Sequence, residues 1–179
     1  TLTVTADNKS KVYGNTNPSL TYTITGYKNS ETSSVVTGAP TISTAASTTS
    51  NVGSYTITSA ANNLSATNYQ FSYANGSLTV TPKSLTITAN AQSTVYGTVV
   101  TTGSGSTLFT SSGLINSDAV NTVTIATNQS VTTNAGASSI TVTPSAAVGT
   151  GLSNYSITYN TGAVTVNKAT LTVTADNQS

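Results

Sequence analysis

Cysteine, histidine, methionine, tryptophan and arginine are all missing from this chain of 179 residues, and charge is scarce: five lysines and four acids give a net charge of +1. Without cysteine there are no disulfides, no thiolate nucleophile and no cysteine-type zinc site. Without arginine, five scattered lysines supply neither a phosphate-binding patch nor a stacking groove, which excludes nucleic acid as a partner. No apolar run approaches the roughly 18 residues of a spanning helix, and no basic amphipathic face exists for a membrane surface. The missing cysteine, in a chain built for the outside of a cell, favours bacterial secretion over a disulfide-stapled scaffold.

What the chain does contain is itself, twice over. LTVTADNKSKVYG from Leu2 to Gly14 returns as LTITANAQSTVYG from Leu85 to Gly97, and LTVTADNQS begins a third time at Leu171. The third start is what a chain cut from a longer array would show. Asn51-Val52-Gly53 matches Asn134-Ala135-Gly136, 83 residues on, and Asn68-Tyr69 matches Asn154-Tyr155, 86 residues on. A period of that length is too long for a solenoid unit and suits a small domain with its own core. The expected division is residues 1–82, residues 83–168, and 169–179 as the start of a further repeat.

Period-two patterning argues for strands. Leu2, Val4 and Ala6 alternate with Thr3 and Thr5, Leu20, Tyr22 and Ile24 with threonines, and Tyr69, Phe71 and Tyr73 with Gln70 and Ser72. Such alternation marks half-buried strands, and β-branched threonine suits the wet face. Asn75-Gly76, between two alternating runs, predicts a hairpin with a type I′ turn, and Asn160-Thr161-Gly162 is its counterpart. Ser30-Glu31 and Ser117-Asp118 read as helix N-caps with a favourable charge, predicting one or two helical turns there. Each module is then two strands, a short helix and about three strands. The junctions Val80–Leu85 and Val166–Leu171 hold no flexible spacer, so the modules are expected end to end as a rod.

Candidate chemistry is thin. General acid–base or nucleophilic work would fall on Asp7, Glu31, Asp118 and Asp176, and Asp7 and Asp176 are one position of successive repeats rather than a dyad. A Lys–Asn crosslink needs a buried lysine beside an acid, whereas Lys83 and Lys168 lie in junctions, and Lys9 and Lys11 become Gln92 and Thr94. No convergent carboxylates suggest calcium; Asp7-Asn8 and Asp176-Asn177 read as strand ends bonding their own backbone. No catalytic, cofactor or metal site is therefore expected. Of nine tyrosines, Tyr22, Tyr55, Tyr69, Tyr73, Tyr155 and Tyr159 fall in core phase, while Tyr13 and Tyr96, each before glycine, read as pinning a turn. Tyr27 alone is free to meet a ligand.

On these residues the chain resembles tandem MBG domains of the YGX type, repeats of large bacterial surface and secreted adhesins. The matching features are the opening LTVTAD, Tyr13-Gly14 followed by Asn17-Pro18-Ser19-Leu20, the Gly26–Glu31 turn, Val52-Gly53-Ser54-Tyr55, and Asn68-Tyr69 through Gly76 to Pro82. The second copy keeps Tyr96-Gly97, Asn154-Tyr155 and Gly162, lacks the Asn-Pro, and carries four extra residues before Gly113. The resemblance implies a β-grasp-like sheet with one short helix, with an immunoglobulin-like sandwich as the alternative. It also implies an extracellular, monomeric, non-enzymatic stalk whose partners are neighbouring repeats, or alternatively a module that binds mucin or other glycans.

Overall fold

A computed structural model describes residues 1–176, and Asn177, read above as a strand-end residue, lies outside the described residues. Among the described residues, alternating sequence becomes fifteen strands, and the only helical pieces are two three-residue 3₁₀ turns, Ser33–Val35 and Leu152–Asn154. By its internal contacts the chain divides into a first unit, Thr1–Lys83 with Ser153–Tyr155, and a second comprising Ser84–Leu152 and the chain from Ser156 onward.

The first unit carries two sheets. Strands β1 (Leu2–Ala6), β3 (Tyr22–Thr25) and β6 (Phe71–Ala74) form one in the order β3-β1-β6. Strands β2 (Lys9–Val12), β4 (Thr41–Thr44), β5 (Gly53–Ala60) and β7 (Gly76–Thr81) form the other in the order β2-β7-β5-β4. Strand β1 runs parallel to β6, and β2 runs parallel to β7. Two adjacent stretches of chain, 2–12 and 71–81, therefore travel side by side and leave one sheet for the other at the same level. Leu2, Val4 and Ile57 are fully buried, and Ala6, Ala46, Ile57 and Leu78 form a cluster against which Leu20, Ile42 and Tyr55 pack. Each fully buried aliphatic side chain contributes about 1.5–3 kcal/mol.

This geometry corrects the hairpin expected at Asn75-Gly76. β6 and β7 do not pair with each other, and Gly76 is not in the left-handed region that a type I′ turn requires. A Cβ on Gly76 would instead run into the carbonyl oxygen of Ala6. Glycine is there so that two backbones can touch where both change sheet. Asn75 and Asn8 satisfy the interrupted ladders: Ser59 N donates to Asn75 Oδ1 (3.1 Å) and Ser77 N to Asn8 Oδ1 (2.8 Å).

The second unit repeats the device. Strands β8 (Lys83–Ala89), β11 (Phe109–Ser112) and β14 (Tyr155–Asn160) make one sheet, ordered β11-β8-β14. Strands β9 (Gln92–Val95), β10 (Gly103–Ser106), β12 (Ala119–Thr127), β13 (Thr141–Thr150) and β15 (Gly162–Asn167) make the other, ordered β10-β12-β13-β15-β9. Gly162 faces the carbonyl of Ala89 as Gly76 faces Ala6, so Asn160-Thr161-Gly162 is a sheet switch and not a hairpin either. Ile57 opposite Gly76 becomes Val142 opposite Gly162. The β12–β13 pair matches β4–β5 where Thr127 faces Val142 as Thr44 faces Ile57, and beyond the register slip near Thr122 it extends into chain that in the first unit holds loops and the 3₁₀ turn.

The expected helices are likewise absent. Asn29 and Ser30 both have positive φ (53° and 62°), as do Asn116 and Ser117 (53° and 63°). Glu31 N donates to Lys28 O and Asp118 N to Ile115 O, each at 2.9 Å. Two successive positive-φ residues closed by that bond have the form of a type I′ turn, whereas an N-cap serine would be extended. The module is thus mainly β, with neither the β-grasp helix nor the Ser30 and Ser117 caps; Thr32 caps the Ser33–Val35 turn.

Asp7, beside the sheet switch, accepts from Thr21 Oγ1 (2.5 Å) and Thr23 Oγ1 (2.8 Å), which holds its carboxyl below the usual carboxylate range. A lowered folded value adds stability that is present above the unfolded value, near 3.9, and is lost as pH falls through the folded one. Asp7→Asn should therefore give a melting temperature that declines less steeply below about pH 4 than that of the parent chain, measured by circular dichroism.

Candidate functional site

The type I′ turn at Lys28–Glu31 aims Glu31 back at the module, and Tyr69 locks it there. Tyr69 Oη donates to the Glu31 carboxylate and accepts from Lys28 N (2.9 Å). Donation to the carboxylate is the main cause that raises the Tyr69 hydroxyl above its ordinary value, offset in part by the Lys28 N–H. The Tyr27 ring stands edge-on to Tyr69, with centroids 6.3 Å apart and planes at 74°. The Tyr27 hydroxyl is buried and has no hydrogen-bond partner among the described residues.

Beside this cluster lies a cavity of about 540 Å³. One wall is β3, with Tyr22, Thr23 and Ile24, and the other is Tyr27, Glu31, Thr32, Ser33, Val36 and Gly38. Thr37 and Ser65 exchange both backbone hydrogen bonds (2.9 and 3.0 Å), and Ala39 N donates to Asn63 Oδ1 (2.8 Å), fixing the far wall. Tyr22, placed by its phase in the core, is 37% exposed, because β3 is an edge strand with the cavity alongside it.

The remaining marker residues hold the frame. Tyr13-Gly14 and Tyr96-Gly97 form equivalent turns: Asn15 N donates to Val12 O and Thr98 N to Val95 O (both 3.0 Å), with Gly14 and Gly97 at φ 84° and 91°. Tyr13 and Tyr96 donate their N–H to Thr81 O and Asn167 O, but Tyr13 is buried and Tyr96 is 46% exposed. Within the first unit the Tyr13 ring meets Tyr155 edge-on at 5.6 Å, and buried Asn154 donates to Asn51 Oδ1 and accepts from Val52 N. Asn68 is exposed on the loop before Tyr69.

Lys11 is buried, yet its Nζ donates to the carbonyls of Asn15 (3.1 Å) and Ser47 (2.5 Å), not to an acid. Sequence reasoning missed its counterpart. Thr94 replaces Lys11, and Gln129, standing where the first repeat has Ala46, donates to Thr98 O (2.8 Å) and accepts from Val100 N. A tie to the Tyr-Gly turn is kept although it comes from the loop after β12. The Lys–Gln exchange leaves the second repeat no buried lysine among the described residues, since Lys83 is half-buried and Lys168 exposed. Among the described residues no three acids, histidines or cysteines converge as a metal site.

Because the raised Tyr69 hydroxyl is favoured in its protonated form, its contribution is present below the unfolded value near 10 and lost as pH rises through the higher folded value. Tyr69→Phe should lower the melting temperature at neutral pH and flatten the alkaline decline above about pH 10, measured by thermal denaturation across pH.

The description "MBG domain (YGX type)" matches residues 2–79 and again 85–165. No curated protein matches the chain. Two consecutive matches over most of the sequence, each coinciding with a Tyr-Gly turn and a glycine sheet switch, show that the chain belongs to the MBG domain (YGX type) family.

Proposed function

We propose that the chain is a pair of non-enzymatic structural repeats from the extended, extracellular stalk of a bacterial surface adhesin. The observation that carries this reading is the joint. β7 ends at Thr81 and β8 begins at Lys83, so one residue, Pro82, separates the last strand of one repeat from the first strand of the next. Proline fixes φ and leaves little slack, as a spacer that must transmit tension requires. The sparse charge suits a surface that must not adhere along its length.

A repeat-borne glycan site would present the same exposed aromatic cluster in both units. The second repeat has Phe109 and Leu114 where the first has Tyr22 and Tyr27, so no shared cluster supports that reading.

Single-molecule stretching of the full chain tests the proposal. A load-bearing pair should unfold in two separate steps, each releasing a repeat of 82 to 86 residues with an extended length of roughly 270–310 Å before the folded span is subtracted. Extension without discrete steps would contradict a load-bearing role. Saturable binding of mucin glycans by each repeat would favour the adhesive alternative.

A further inference from the structure

One charge in the first-unit cavity is left uncompensated by the protein: Glu31 accepts from Tyr69 and makes no ion pair among the described residues. A carboxylate has about four acceptor sites, so Tyr69 leaves room on Glu31 for further donors. The rest of the lining is aromatic, aliphatic or hydroxylic, and carries no positive charge. Anionic ligands would meet an uncompensated carboxylate.

From these observations we propose that the cavity binds a primary ammonium group, as borne by a lysine side chain. The ammonium donates to the acceptor sites of Glu31 that Tyr69 leaves open. The Tyr22 and Tyr27 rings favour a cation over a neutral group, and Ile24 and Val36 cover the aliphatic stem. A volume near 540 Å³ falls within the range of small-ligand clefts. This site is independent of the stalk reading, because it depends on residues that only the first repeat has: Tyr22, Ile24 and Tyr27 become Phe109, Ser111 and Leu114 in the second.

The test is a ¹H–¹⁵N titration of the full chain with Nα-acetyl-lysine-N-methylamide, beside the uncharged norleucine analogue and methyl glucoside. Saturable shifts should appear at Tyr22–Ile24, Tyr27, Glu31–Ser33 and Val36 with the lysine probe alone, while residues 109–118 stay unmoved. Glu31→Gln, which keeps an acceptor for Tyr69, should weaken binding by roughly tenfold, and added salt should weaken it in the parent chain. Tyr22→Ala, which leaves the Lys28–Glu31 turn untouched, should weaken it by roughly threefold. Equal shifts with norleucine, preference for the glucoside, absence of saturation, or unchanged affinity in Glu31→Gln would overturn the proposal.

Discussion

Everything in each unit hangs on one close approach of backbone to backbone, Gly76 against the carbonyl of Ala6 and Gly162 against that of Ala89. Pairs of parallel strands cross from one sheet to the other together, and at the crossing there is no room for a side chain. The crossing lets β1 and β2, separated only by Asp7 and Asn8, serve two different sheets. The same arrangement places Leu2 and Val4 in the core and sets β3 at an edge, where the cavity forms. The private chemistry of the first repeat thus sits on a frame that both repeats share.

Sequence divergence between the repeats respects that frame. Asp7 at the crossing becomes Asn90, and the backbone bond Asp7 N to Thr21 O reappears as Asn90 N to Leu108 O. The turn closed by Ser47 N to Ser50 Oγ returns as Ser130 N to Thr133 Oγ1. Lys11 gives way to Gln129 in the loop after β12, and a carbonyl of the Tyr-Gly turn is still satisfied. Lys11 and Gln129 are both buried, and a buried polar side chain left without a partner costs on the order of 1–3 kcal/mol, which accounts for the tie in each repeat. Positions facing the cavity carry no such penalty, and there Tyr27 and Leu114 differ freely.

Much of the architecture was legible in the residues. The alternation of Leu2, Val4 and Ala6 gave a strand with all three side chains buried, and the Tyr-Gly spacing located equivalent turns. The Asn75-Gly76 hairpin was misread because a local turn signal is silent about a strand some seventy residues earlier. Parallel pairing to β1 and β2 outcompeted the local reversal, and Asn75 spends its side chain on Ser59 instead. Ser30 and Ser117 misled for a related reason: Asn-Ser before an acid suits both an N-cap and a left-handed turn, and no apolar helical stripe follows to choose the helix. Tyr27 stood out by elimination. Its companion Glu31 did not, because the bond to Tyr69 spans thirty-eight residues.

The backbone contact at the crossing is tested most directly by residue-resolved hydrogen exchange on Gly76→Ala and Gly162→Ala, with Gly136→Ala as the comparison, since a Cβ there meets open space. If the crossing governs each unit, Gly76→Ala should cost about 2–4 kcal/mol of protection at Leu78 and Val80, and Gly162→Ala should do the same at Val164 and Val166, well beyond the roughly 1 kcal/mol of backbone strain expected at Gly136. Protection at those strands no lower than in Gly136→Ala would contradict it.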